Sequence, residues 1–112
     1  MITKDEKLNS LLPEIEKRIK ELFGEKVERI ILFGSYARGD YNLESDVDIF
    51  VLLNDSDLKK YRRTRVKVIT EFLSNYDVLL SIRLANNDTF KKFRDISPFY
   101  QNVINEGISL YG

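Results

Sequence analysis

Phe33-Gly34-Ser35-Tyr36-Ala37-Arg38-Gly39-Asp40, followed by Ser45-Asp46-Val47-Asp48-Ile49-Phe50-Val51, decides how this chain folds. The first segment closes an apolar run on a break of small residues, Gly34-Ser35. The second opens another apolar run on two carboxylates, Asp46 and Asp48. A strand that ends in Gly-Ser and turns into a helical start aims backbone N–H groups outward, where phosphate oxygens can meet them. Gly34 permits close approach of a ligand, and Ser35 adds a hydroxyl donor. Residues at i and i+2 of a strand share a face and lie about 6.5 Å apart. Two carboxylates so placed repel each other, and a divalent cation between them removes the repulsion. Hard oxygen ligands suit Mg²⁺ or Mn²⁺. One metal held by carboxylates, with a second brought by a nucleotide, is an arrangement for in-line phosphoryl chemistry. Gly34 and Gly39 match G-x-x-x-x-G, but Asp40-Tyr41 follow where Lys-Ser/Thr would be needed, so a P-loop is excluded. G-x-G-x-x-G is absent.

The flanking text turns this stretch into a fold. Val-Glu-Arg-Ile-Ile-Leu-Phe, 27–33, is short, β-branched and ends in glycine, which reads as a strand. Residues 46–53 read as a second strand, apolar on both faces beyond its acidic start and therefore central. Upstream, Leu8, Leu11, Leu12, Ile15, Ile19, Leu22 and Phe23 recur at steps of three and four, which predicts a helix over 3–23. Thr3 with Glu6 forms a capping-box pattern. Pro13 kinks that helix or marks its first turn, and Gly24 stops it. Downstream, 58–74 traces a helix and 77–84 a third strand. Strand, helix, strand is a crossover unit, so the second and third strands should run parallel. Asn87 caps a short helix, and Ser97-Pro98 opens another that ends at Gly107. The segment 108–111 is a short last strand or a packed terminus. The whole is an α+β chain, a two-layer α/β arrangement with a mixed sheet of three or four strands flanked by helices. It is expected to be one domain over 1–112.

A third carboxylate is wanted to deprotonate an incoming hydroxyl, and Asp77 is the candidate. It opens the third strand as Asp46 opens the second, so parallel strands should carry both to one end of the sheet. Its face depends on one residue of register. Arg38 reads two ways, as a phosphate contact or as the partner of Asp40 or another acid that holds the loop.

Composition narrows the chemistry. The chain has neither Cys nor His among its 112 residues. That excludes disulfides, thiolate nucleophiles, imidazole catalysis and Cys/His metal sites. Eighteen basic and 18 acidic residues give zero net charge, which supplies no argument for direct nucleic-acid binding. The basic face at Lys59, Lys60, Arg62, Arg63, Arg65 and Lys67 reads as a solvated helix face, or one that meets an acidic partner protein. No apolar run approaches the length of a membrane span, and no apolar signal segment follows Met1, so a cytoplasmic location is expected.

Gly34-Ser35, then Asp46-Val47-Asp48, resembles the G-S-x10-D-x-D signature of the DNA polymerase β-like nucleotidyltransferase superfamily. The fuller stretch, with the closing Glu106-Gly107-Ile108-Ser109-Leu110-Tyr111, is similar to its small bacterial and archaeal branch, the minimal nucleotidyltransferases (MNT). The resemblance implies the polymerase β-like fold and Mg²⁺-dependent transfer of AMP from ATP to a hydroxyl. It implies that Gly34 and Ser35 bind the nucleotide phosphates and that Asp46 and Asp48 bind the metals. The family's third acid sits in a V-D-L-V-like strand, to which Tyr76-Asp77-Val78-Leu79 is close but displaced; Asp77 stays the candidate third metal ligand, and Arg38 the candidate further nucleotide contact. Many MNT proteins neighbour a HEPN-domain toxin and act as its antitoxin, in characterised pairs by adenylylating a toxin Tyr. The expected partners are thus a nucleoside triphosphate and a HEPN-type toxin. Other readings are an inactive MNT-fold antitoxin that neutralises by binding, or transfer to a small molecule or RNA end.

Overall fold

The computed structural model describes residues 3–112. Helix α1 spans Glu6–Phe23 and buries Leu8, Leu11, Leu12, Ile15, Ile19 and Phe23 on one stripe. Its cap is Asp5, whose carboxylate accepts from the Leu8 amide at 2.8 Å. The expected Thr3–Glu6 box does not form. Thr3 is itself buried and donates its hydroxyl and its amide to Asn9 Oδ1, each at 2.8 Å. Asp5 stands three residues before an orphan amide, and a carboxylate there also meets the positive end of the helix. Pro13 stays inside α1, where its missing N–H leaves the Asn9 carbonyl without a helical donor.

The sheet has four strands in the order β3-β2-β1-β4. Strand β1 (Val27–Phe33) runs antiparallel to β2 (Val47–Leu53), with Phe33 opposite Asp48. Between them lie the short helix α2 (Gly34–Arg38) and a polar loop. Strand β3 (Leu80–Asn86) runs parallel to β2, pairing Val47 with Leu80 and Asp48 with Ser81. Strand β4 (Ile108–Tyr111) closes the other side, antiparallel to β1. The crossover between β2 and β3 is a 3-10 turn at Leu58–Tyr61 and helix α3 (Arg62–Tyr76). Two short helices follow, α4 (Asn87–Phe93) and α5 (Pro98–Glu106). The cap of α4 is Asn86, whose side chain accepts from the Thr89 amide, one residue before the expected Asn87.

The third strand begins three residues later than its sequence suggested. Helix α3 runs on to Tyr76, and Asp77 ends it in the left-handed region, at φ 56° and ψ 40°. Its amide donates to the Leu73 carbonyl at 3.1 Å, which satisfies an orphan acceptor of the last turn. Asp77 is therefore a helix terminus and not the first residue of β3.

Alternation along the strands divides the core. Ile30, Leu32, Ile49, Val51 and Ile82 pack against α1 and α3, meeting Ile15, Ile19, Val68 and Phe72. Ile31, Phe50, Leu52 and Ala85 face the other way, under Phe90 of α4 and Val103 of α5. Phe50 is 1% exposed and lies within 6.3 Å of the rings of Phe33, Phe90, Phe99 and Tyr100. Burying one such ring stabilises the fold by about 1.5–3 kcal/mol. This aromatic cluster covers the middle of the second face. Asp48 shares that face with Phe50 but sits two residues nearer the sheet end.

Candidate active site

The antiparallel pairing of β1 with β2 carries the end of one strand to the start of the other. The Gly34-Ser35 turn and the Asp46/Asp48 pair thus meet at a single sheet end, 12 and 14 positions apart in sequence for Gly34. Gly34 is buried and adopts φ +74°. A Cβ built there would overlap the Asp48 carboxylate. The position requires glycine twice over, for its backbone conformation and for the space. Gly39 ends α2 in the left-handed region and donates its amide to the Ser35 carbonyl at 2.8 Å.

Asp48 is half-buried and Asp46 is exposed. Burial pushes the Asp48 carboxyl above its usual range, and the negative charge of Asp46 adds to the rise; Arg38 opposes it. The pair therefore holds more negative charge than its surroundings balance. Arg38 acts from a distance, because its guanidinium is engaged elsewhere. Its Nε donates to Asp40 and its Nη1 to Glu106, both at 3.2 Å. Arg38 thus ties the loop after α2 to the end of α5, as the second of its two sequence readings required, with Glu106 as an unforeseen partner.

Asp77 is exposed and lies beside the pair without joining it. It lines a cavity of about 510 Å³ that also exposes Asp46, Glu44, Ser45, Asp5, Tyr36 and Leu43. Among the described residues no three carboxylates gather into a metal-holding group; of the expected Asp46, Asp48 and Asp77, the cavity brings Asp77 and Asp46 together. On the neighbouring strand, the residue beside Asp48 is Ser81, and two residues further on the same face stands Arg83. No reading of the sequence placed these two at the site. The register between β2 and β3 is the fact that does so. Tyr36 of α2 and Tyr41 of the loop that follows stack on each other at 4.3 Å.

The donor set fits a hard divalent cation. It offers carboxylate oxygens alone, one of them held in an unfavourably negative setting, and no nitrogen or sulfur ligand. Two protein carboxylates leave the remaining positions to phosphate oxygens and water. The Ser35 hydroxyl and the backbone at the Gly34 turn lie on the same sheet end. Chemically this can hold a metal–triphosphate and present its α-phosphorus to a nucleophile.

A polypeptide with this fold and this site is a nucleotidyltransferase domain. The chain belongs to that family, whose model, described as a nucleotidyltransferase domain, matches residues 12–109. A Methanocaldococcus jannaschii protein provisionally named a protein adenylyltransferase is 35% identical over 100 residues, which is 89% of this chain and 94% of that relative. A crystal structure of a toxin–antitoxin with AMP-PNP superposes with a TM-score of 0.65 at 26% identity, over 90% of this chain and 73% of that chain. A complex of a tri-AMPylated Shewanella oneidensis HEPN toxin with an MNT antitoxin gives 0.58 at 25% identity, over 93% and 71%. Among the described residues no helix is long and apolar enough to cross a membrane.

Proposed function

We propose that this chain moves AMP from ATP to a hydroxyl of a partner protein. The observation that supports the reading is the packing of Gly34 beneath the Asp48 carboxylate, which locks the Gly34-Ser35 turn to the acidic pair. Asp46 and Asp48 would hold magnesium, and Gly34-Ser35 would receive phosphate oxygens. A bound cation supplies charge neutralisation and polarises the phosphoryl oxygens. The acceptor oxygen bonds to the α-phosphorus, the bond from that phosphorus to the bridging oxygen breaks, and pyrophosphate leaves. Asp77, which lines the same cavity as Asp46, takes the acceptor's proton. Arg38 serves by holding the loop to α5 and not by direct contact with phosphate.

The acceptor in this reading is a Tyr hydroxyl of a cognate HEPN-type toxin. The likeness to toxin–antitoxin structures supports it, as does the adenylyltransferase name of the archaeal relative. The test uses purified protein, α-phosphate-labelled ATP, Mg²⁺ and the product of the neighbouring gene. Label on a toxin Tyr, lost in Asp48→Ala, is the expected result. A tight complex with no label transfer would sink the reading. It would favour a second one, neutralisation by binding alone, which draws on Ser81 standing beside Asp48 where an acid would complete a triad.

A further inference from the structure

Strand β3 is the terminal strand on its side of the sheet. Its outer backbone edge has no ladder partner among the described residues. Against that edge lies a groove of about 270 Å³ lined by Leu58, Lys59, Arg62, Arg65, Arg83 and Leu84. Four of the six are cations and none is an acid. Among the described residues none of the four is in an ion pair, although the chain as a whole is neutral. By contrast Lys60, on the same turn, is paired with Asp55.

Arg83 joins this groove to the site. Its side chain shares the face of Asp48, and its guanidinium lies 4.3 Å from the centre of the Phe99 ring. A guanidinium stacked on an aromatic face keeps its edge N–H groups free for an anion. Arg83 also lines a second cleft with Phe93, Ile96 and Phe99. Phe93 and Ile96 are 40% and 72% exposed, so this cleft offers apolar contact where the groove offers charge. From Arg83 to Ser81, beside Asp48, is two residues of strand, about 7 Å.

We infer that the β3 edge is a docking track for an extended, acidic segment of the acceptor protein. The segment adds a strand to β3, sets its Asp or Glu side chains on Lys59, Arg62, Arg65 and Arg83, and delivers a hydroxyl two or three residues away to the Asp46/Asp48 end. The unpaired strand edge favours a polypeptide over a nucleic acid, because only a peptide backbone can complete the ladder. The charge sets the register and speeds encounter. This rests on the nucleotidyl-transfer reading for its purpose, but not for the binding itself.

The test measures binding without nucleotide. The probe is a fluorescein-labelled peptide, Glu-Glu-Glu-Val-Tyr-Val, followed by anisotropy on the whole protein at low salt. Binding should weaken at least tenfold in Arg62→Glu/Arg83→Glu, two exposed sites, with a cooperative thermal transition confirming that the variant is folded. It should weaken similarly when alternate peptide nitrogens are methylated, a readout that needs no protein variant. Asp48→Ala should bind normally. Binding indifferent to both changes overturns the inference. So does poly(U) that binds the same groove tighter than the peptide and displaces it. Charge-dependent peptide binding with no label transfer to any acceptor would leave the track standing while the transferase reading falls. Transfer to the toxin unaffected by Arg62→Glu/Arg83→Glu would do the reverse.

Discussion

The carboxylate of Asp48 lies directly over Gly34, leaving no room for a Cβ at that position. The two residues are brought together by the pairing of Phe33 with Asp48. The Gly34-Ser35 turn and the acidic pair are therefore one unit, and a change in either disturbs both.

Gly34→Ala should show this coupling. The substitution imposes a left-handed φ on a residue with a side chain, which costs about 1–3 kcal/mol, and it also displaces Asp48. Gly24 gives a control, since it has φ +85° with nothing within 4 Å of a built Cβ. Gly24→Ala should lower the melting temperature by a few degrees and leave transfer of label from ATP intact. Gly34→Ala should lose at least as much stability and nearly all transfer. Equal activity in the two variants would show that the contact with Asp48 does not matter to the site.

Asp48→Asn separates function from stability in the opposite sense. The carboxyl of Asp48 is raised by burial and by Asp46, so its ionised form is less favourable in the folded chain than in the unfolded one. The sign follows: this group costs stability at neutral pH, and the cost fades as pH falls through its raised value. Asn keeps the shape and removes the charge. The metal-free variant should melt at or above the wild-type temperature at pH 7, with the difference shrinking toward pH 4. Its nucleotidyl transfer should fall by about a hundredfold or more, as expected when the cation that would neutralise the transition-state charge loses a carboxylate ligand. A melting temperature well below wild type would contradict the electrostatic account.

Much of the site was legible because local chemistry dictates it. Gly34 is demanded by a positive φ, and Asp46 and Asp48 flank the first residue of β2, so both features can be read from a few adjacent residues. β1 was legible to the residue because apolar β-branched text ends in glycine. The start of β3 was not. Asp77 adopts a left-handed cap that non-glycine residues seldom take, and nothing nearby marks it, so a helix cap was read as the start of a strand. Ser81, Arg83 and Glu106 were hidden for another reason. Each reaches the site through register or through a contact spanning up to 68 positions, which only the assembled sheet specifies.

Arg38 can be assigned by comparing it with its distant partner. If its role is to tie the loop to α5, Arg38→Ala and Glu106→Gln should behave alike. Each should lower the melting temperature by a few degrees at most, since exposed ion pairs contribute little. Each should change the KM for ATP by less than about threefold, with kcat falling somewhat as the loop loosens. A tenfold rise in KM confined to Arg38→Ala would assign the guanidinium to phosphate instead.

The link between α1 and α3 predicts part of the acid sensitivity. Arg18 grips Glu71 with both arms, Nε to Oε2 at 3.0 Å and Nη2 to Oε1 at 2.7 Å. The hydrogen bonds from Arg18 hold the Glu71 carboxyl below its ordinary range. A depressed folded-state value means stability that is fully present above the unfolded value, about 4.3, and that drains away as pH falls through the folded one. Glu71→Gln cannot titrate, so its urea midpoint should lie below wild type at pH 6 and converge with it as the pH drops below about 4. Only the difference between the two curves reports the bridge. Parallel curves across that window would mean that the bridge forms without stabilising the α1–α3 contact.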